Sequence, residues 1–178
     1  MIDLFTNNTY KTFEVFIRDP HTSHSARAIA RRINLTHPTV LKHLTELKEH
    51  NLIQENTDTL YTTYRANTQN TLYKHHKQQY WSTKIKISGL IEHITNACQP
   101  NIIVLFGSAA RGEDTEHSDI DIYVQAGEQD LKFEEYEKDL TRNISVLFEA
   151  DPEALAPELR TNLRNGVILY GQWTTSSA

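Results

Sequence analysis

The sequence predicts an α+β protein in two parts: a helical N-terminal part that ends in a β-hairpin, and a C-terminal α/β part with a small mixed sheet. In residues 11–47, three short segments carry apolar residues at helical spacing, and strand-like runs follow. Residues 101–124 read as strand, short helix and strand. Residues 1–83 carry ten Lys and Arg against seven Asp and Glu, a net charge of +3, whereas residues 84–178 carry eight against sixteen, a net charge of −8. Different jobs are therefore expected of the two parts.

The bulk composition is that of a globular chain without a membrane segment. Of 178 residues, 38% are hydrophobic and 23% charged. The longest apolar run, residues 102–106, is far shorter than the roughly 20 residues of a membrane-spanning helix. Met1 and the residues after it show no basic region followed by an apolar one, so no secretory signal is expected. Cys98 is the only cysteine, which excludes an intrachain disulfide. We expect a cytoplasmic protein.

Three short helices are predicted first. Residues 11–18 carry apolar side chains at helical spacing, and Pro20 stops that helix. Residues 25–33 form the second helix, with Ser25 or Ser23 as its N-cap, and Thr36 caps the third. Two short helices joined by a tight turn indicate a helix-turn-helix.

The third helix is amphipathic, and a hairpin is predicted after it. One face is apolar, formed by Val40, Leu41, Leu44 and Leu47. The other is polar, with Thr39, Lys42, His43 and Glu46. Residues 52–55 and 60–65 are strand-like, and turn-forming residues 56–59 lie between them. A hairpin in this position is a wing.

This part of the chain resembles the winged helix-turn-helix regulators of the arsenical-repressor type. The resemblance covers roughly residues 8–67, most clearly Ala28 to Ile53. It implies a homodimer that binds double-stranded DNA in the major groove. It also implies that four side chains face bases or phosphates: His37, Thr39, Lys42 and His43. It also implies backbone contacts, which position the protein without reading sequence, from Arg27, Arg31, Arg32 and Arg65. The residues leave open a winged helix used only for protein contacts, since Glu46 and Glu49 on the outward face would repel phosphates.

A helical connector over residues 68–84 is predicted between the two domains, residues 1–67 and 85–172. Long helices between domains often form dimer contacts, and the aromatic candidates here are Tyr73, Tyr80 and Trp81. Residues 173–178 are expected to form a flexible tail.

The C-terminal part contains a strand that ends in Gly107-Ser108 and, ten residues later, Asp119-Ile-Asp121 on a second strand. A glycine after a strand allows a tight turn and a close approach to a ligand. The short helix that follows offers free N–H groups to a phosphate, with Arg111 one turn on as a charge partner. The two-residue period of a strand puts both aspartates on one face, where they repel unless a cation joins them. Mg²⁺ suits such oxygen ligands together with substrate phosphates.

These motifs resemble the polymerase-β-like nucleotidyltransferases, most closely the minimal nucleotidyltransferases, over about residues 85–172. The resemblance implies that Gly107 and Ser108 hold the triphosphate of a nucleoside triphosphate, and it adds Arg111 and Ser118 to the nucleotide-binding set. It also implies that Asp119 and Asp121 are catalytic and bind Mg²⁺ or Mn²⁺. An acceptor hydroxyl then attacks the α-phosphorus, and pyrophosphate leaves.

The sequence departs from this family at a third carboxylate, expected on a later strand. The matching stretch is residues 142–148, with Ser145 in place of an aspartate. A serine hydroxyl is a poor base and a weak metal ligand. Glu149 lies on the same strand face but four residues on, about 13 Å at roughly 3.3 Å per residue. Efficient nucleotide transfer is therefore in doubt.

Three functions remain open on the sequence. The first is a DNA-binding transcriptional regulator whose second domain binds a nucleotide, with or without transferring it. The second is an antitoxin-like nucleotidyltransferase that modifies a toxin-like partner protein and uses DNA binding for autoregulation. The third is a regulator whose inactive transferase domain serves as a sensor or dimerisation module.

Overall fold

The computed structural model describes residues 7–57 and 61–173. The chain divides into two compact units, residues 1–74 and 75–178. The second unit therefore begins inside the segment that the sequence assigned to a connector. Within the described residues, no helix is both long and apolar enough to cross a membrane.

The first unit contains three helices and a small antiparallel sheet. Its elements are α1 (Asn8–Arg18), β1 (His24–Ser25), α2 (Ala26–Ile33), α3 (His37–Glu49), β2 (Ile53–Asn56) and β3 (Thr63–Ala66), and α4 (Thr71–Ile87) begins at its end. The strand order is β1-β3-β2, and β2 pairs with β3 from Ile53↔Ala66 to Asn56↔Thr63. All three predicted helices and the hairpin are therefore present.

Local capping explains where these helices begin. The Ser25 and Thr36 side chains accept hydrogen bonds from backbone N–H groups in the first turns of α2 and α3, as predicted. Asn7 caps α1 in the same way, so this helix begins three residues earlier than expected. The predicted turn and second strand of the hairpin include Asp58–Leu60, which lie outside the described residues, as does the Met1 region examined for a signal.

The core of the first unit is apolar and aromatic. Val40, Leu44 and Leu47 of α3 are buried as predicted, but Leu41 is 38% exposed because it lies at the edge of the apolar face. Tyr73 is fully buried, and its hydroxyl donates to the Phe16 carbonyl oxygen at 2.9 Å. The prediction of Tyr73 as a dimer contact is therefore wrong, because this ring is covered by its own chain.

The second unit is built on a four-stranded mixed sheet with helices. Its elements are most of α4, then α5 (Leu90–Cys98), β4 (Ile102–Phe106), α6 (Gly107–Arg111), β5 (Ile120–Val124), α7 (Glu134–Leu140), β6 (Ile144–Phe148), a 3₁₀ turn (Pro152–Ala154), α8 (Pro157–Arg164) and β7 (Val167–Gly171). The strand order is β6-β5-β4-β7. Only β5 and β6 are parallel to each other. The predicted small mixed sheet is confirmed.

The two central strands supply the core of this unit. Residues 102–105 of β4 are completely buried, which agrees with their continuous apolar sequence. Tyr80 and Trp81 are also buried, so their predicted role in dimer contacts is wrong as well. Trp173 stacks on Tyr123 with ring centroids 6.2 Å apart. The predicted flexible tail therefore does not include Trp173, and residues 174–178 lie outside the described residues.

Gly166 should be indispensable at the turn between α8 and β7. A Cβ atom there would lie 2.5 Å from the Leu105 carbonyl oxygen and 2.5 Å from Val104 Cγ1. We expect Gly166→Ala to lower the free energy of unfolding by about 1–3 kcal/mol, because the core strand would have to shift. Urea denaturation measures this. Gly127→Ala is the control, since nothing lies within 4 Å of a Cβ atom at Gly127. Equal stability of the two variants would contradict the prediction.

Candidate functional site

The Gly107 backbone and the Asp121 carboxylate lie against each other at the junction of β4 and α6. Phe106, the last residue of β4, pairs with Asp121 on β5. Gly107 has φ +70°, a conformation that favours glycine, and a Cβ atom there would lie 2.1 Å from Asp121 Oδ2. The carboxylate thus occupies the space that any other residue at position 107 would fill.

Asp119 and Asp121 form an electrostatically unfavourable pair. Asp119 directly precedes β5, and Asp121 is its second residue. Partial burial raises the pKa of Asp121, and the negative charge of Asp119 raises it further, while Arg111 lowers it. A bound cation would relieve both costs.

The donor set at this position fits a cation that shares its coordination with phosphates. In the part of the chain that the structure describes, no three His, Cys, Asp or Glu side chains come together in a metal-binding cluster. Two carboxylates with further oxygens from a nucleotide are a usual set for Mg²⁺. Asp119 and Asp121 could therefore hold Mg²⁺ or Mn²⁺ together with a triphosphate.

The neighbouring strand β6 offers neutral side chains to this site. Ser145 pairs in register with Asp121 across the parallel β5–β6 ladder and is exposed. This is the place where the resemblance leads one to expect a third carboxylate. Asn143, two residues earlier, donates from Nδ2 to Asp119 Oδ1 at 3.2 Å. Sequence reasoning missed Asn143, although the two-residue period from Ser145 could have found it.

Glu149 does not replace the missing carboxylate. It follows β6 at the opposite end from Ser145, and Phe148 already pairs with Val124. Its Oε1 atom accepts a hydrogen bond from the Asp151 backbone N–H at 2.9 Å and so holds the next turn. The β5–β6 register is unbroken from Ile144 to Phe148, so β6 shows no irregularity that would bring Glu149 back towards Ser145.

The other predicted nucleotide-binding residues have local partners. Ser108 lies in the first turn of α6 and is partly buried. Arg111 makes an exposed ion pair with Glu113, with Nε and Oε2 3.0 Å apart. Ser118 Oγ accepts a hydrogen bond from the Thr115 backbone N–H at 2.9 Å and thus closes the turn before β5.

In the first unit, four of the predicted DNA-binding side chains are exposed beside a groove or on α3. The side chains concerned make no hydrogen bond or ion pair with any residue that the structure describes, and they are those of Arg27, Arg31, His37 and Lys42. Three of them, Arg27, Arg31 and His37, line a groove of about 830 Å³ together with Ser25, Tyr61 and Tyr64. The beginnings of α2 and α3 and the hairpin thus line the same groove.

The other predicted DNA-binding side chains are engaged within the first unit. The Arg32 guanidinium pairs with Asp19. Arg65 Nε and Nη2 both donate to Gln54 Oε1 at 3.3 Å. The Thr39 hydroxyl lies 2.7 Å from that of Thr36.

His43 is directed towards α1. Its Nδ1 atom lies 2.9 Å from the Thr9 hydroxyl, and its side chain is only 14% exposed. Thr9 in turn donates to Glu46 at 3.0 Å. His43 therefore packs against α1, whereas the side chains of Arg27, Arg31, His37 and Lys42 are exposed.

Replacing Asp121 should stabilise the protein when metal is withheld. Asp121→Asn removes a partly buried charge that faces Asp119, so we expect its melting temperature in chelator to rise by a few degrees. Added Mg²⁺ or Mn²⁺ should raise the melting temperature of the wild type and leave that of the variant unchanged. Thermal denaturation measures both effects, with the exposed Asp130→Asn as control. A lower melting temperature of Asp121→Asn in chelator would contradict this account.

Comparison with known proteins bears on the second unit. No curated protein matches the chain. Residues 89–172 match the family model described as Polymerase beta, Nucleotidyltransferase. The matched region contains Gly107, Ser108 and both aspartates, and it begins four residues after the start predicted from the sequence. The C-terminal half of the chain is thus similar to the nucleotidyltransferase domain of the polymerase beta family.

Proposed function

We propose that the protein is a DNA-binding transcriptional regulator whose C-terminal domain binds a nucleoside triphosphate with Mg²⁺. The observation that carries the nucleotide part is the Asp121 carboxylate, which lies over the Gly107 backbone and beside Asp119 at the motif shared with the polymerase beta family. Gly107 and Ser108 approach the triphosphate, and Asp119 and Asp121 hold the metal. The metal, when bound, neutralises phosphate charge that the two aspartates would otherwise repel.

Nucleotide transfer is expected to be weak in this protein. The acceptor hydroxyl has to lose its proton as it attacks the α-phosphorus, and a carboxylate near it would serve this purpose. Ser145 occupies the expected position, and Asn143 beside it is also neutral. Both side chains can orient an acceptor by hydrogen bonds, but neither is a base at neutral pH. This supports a nucleotide-binding role over the antitoxin-like enzyme that would modify a partner protein.

The DNA-binding part of the proposal interprets the first unit as a winged helix-turn-helix. In this interpretation α3 enters the major groove, α2 crosses the phosphate backbone, and the β2–β3 hairpin is the wing. The exposed cations Arg27, Arg31 and Lys42 support it, because none of them forms an ion pair within the part of the chain that the structure describes. Such side chains bind phosphates without first breaking an ion pair. The proposal includes a homodimer, since two copies are needed to read two half-sites.

The free cations of the first unit should carry the salt-dependent part of DNA binding. We expect Arg31→Ala and Lys42→Ala each to weaken binding of the full chain to a duplex of arbitrary sequence. Each should also reduce the slope of log affinity against log salt by about one, for one lost phosphate contact. Fluorescence anisotropy over a salt series measures both quantities.

Lys11→Ala is the matched control, because Lys11 is an exposed cation on α1, outside the α2–α3 pair that is proposed to face DNA. An equal effect of Lys11→Ala would mean that general charge, and not this surface, binds DNA. A failure of the wild type to bind any duplex at low salt would remove the DNA-binding part of the proposal.

Restoring a carboxylate on β6 should increase nucleotide transfer. Calorimetry should first detect Mg²⁺-dependent binding of nucleoside triphosphates to the wild type, and Asp119→Asn/Asp121→Asn should abolish it. Ser145→Asp places a carboxylate in register with Asp121, so it should raise the slow transfer rate measured with labelled triphosphates.

Ser145→Asn is the control for side-chain size without charge, and Glu149→Gln should leave the rate unchanged. Fast transfer by the wild type that survives changes at 145 would favour the antitoxin-like enzyme. The absence of triphosphate binding with either Mg²⁺ or Mn²⁺ would leave the domain as a scaffold.

A further inference from the structure

One helix supplies three side-chain donors to the segment that begins with Gly107-Ser108. Gln78 Nε2 on α4 donates to the Ala110 carbonyl oxygen at 2.6 Å. Trp81 Nε1 donates to Asp114 Oδ2 at 2.9 Å. Lys77 Nζ donates to the Asp114 carbonyl oxygen and lies 3.3 Å from its Oδ1 atom. The segment 107–114 is thus held at its middle and at its end.

The spacing of the donors along α4 explains why they reach one segment. Lys77 and Trp81 are four residues apart and therefore lie on one face of the helix, with Gln78 next to it. Ala110 lies in the last turn of α6, where carbonyl groups have no partner within the helix. The Gln78 amide satisfies this carbonyl group, so the short helix is completed by a neighbour that lies outside it in sequence.

The Lys77–Asp114 ion pair is removed from water. The side chain of Lys77 is 1% exposed and that of Asp114 is 2% exposed. Burial lowers the pKa of Lys77 and raises that of Asp114, and the attraction between the two charges opposes both shifts. Apolar residues of similar volume often stabilise a fold as well as such a pair does. The presence of a buried ion pair here is therefore better explained by specificity than by stability, because the pair holds the segment 107–114 in a single arrangement.

The same cluster also contacts the other side of the site. The Arg142 guanidinium lies over the Trp81 ring, with its Cζ atom 5.3 Å from the ring centroid. Arg142 directly precedes Asn143, which donates to Asp119. Trp81 is thereby connected to the Gly-Ser segment through Asp114 and to the Asp119 carboxylate through the start of β6.

We infer that Lys77 and Trp81 are positioning residues of the nucleotide site, which fix the Gly107-Ser108 segment relative to Asp119 and Asp121 by holding Asp114. The inference rests on the proposed binding of a nucleoside triphosphate. It extends the site to α4, which lies outside the region 89–172 that matches the family model. Triphosphate binding depends on the segment and the aspartates together, whereas cation binding depends on the aspartates.

The test separates positioning from stability with a double replacement in the full chain. Lys77→Met/Asp114→Leu removes both buried charges and leaves apolar packing, but the Trp81 N–H and the Asp114 carbonyl oxygen each lose a partner. Its melting temperature should therefore fall by several degrees without loss of the folded state. Its affinity for ATP or GTP with Mg²⁺ should fall about 10- to 100-fold, as is typical when supporting contacts of a site are lost. The rise in melting temperature with Mn²⁺ alone should remain, because Asp119 and Asp121 are untouched.

Lys86→Met is the matched control, since it removes the same charge from an exposed position of the same helix. Its triphosphate affinity should equal that of the wild type. Unchanged triphosphate affinity in Lys77→Met/Asp114→Leu would overturn the inference and leave the proposed function intact. A joint loss of the folded state, cation response and triphosphate binding would also overturn it, because the pair would then serve the fold. No triphosphate binding by the wild type would instead refute the proposed function.

Discussion

The contact between the Asp121 carboxylate and the backbone of Gly107 is the constraint on which the proposed nucleotide site depends. The chain passes from β4 into α6 through a tight turn at Gly107, where φ is positive. Only a residue without a side chain leaves room there for the Asp121 carboxylate. The same contact withdraws Asp121 partly from water and holds it next to Asp119. The site is therefore strained electrostatically without a cation, and this strain is what a metal with a bound triphosphate can relieve.

The side chains of strand β6 determine whether such a site could also catalyse transfer of a bound nucleotide. Ser145 and Asn143 present hydrogen-bonding groups on the face where a base would be needed. Neither group can take up the proton that an acceptor hydroxyl loses during transfer, which favours binding over turnover. A domain of this kind suits a regulator, in which occupancy by a ligand is the useful event.

Sequence reasoning succeeded where structure is determined locally and failed where contacts are distant in sequence. The caps Ser25 and Thr36 and the faces of β5 depend on residues within a few positions, so their patterns were readable. The contact of His43 with Thr9 was not foreseen, because the two residues are 34 positions apart. Trp81 was misjudged, because its partner Asp114 lies 33 residues further along the chain. A helical pattern shows which side chains share a face, but not which element covers that face.

The family match and the folded unit begin at different residues. The match begins at residue 89, whereas the compact unit begins at residue 75 and includes most of α4. The residues proposed to touch ligand, such as Gly107 and Asp119, lie inside the match. The supporting contacts from Lys77 and Trp81 require only that some element hold the segment, and many side chains can do this. A helix outside the recognised motif can thus be part of the site it supports, and the limits of a functional domain are better drawn from buried contacts than from similarity.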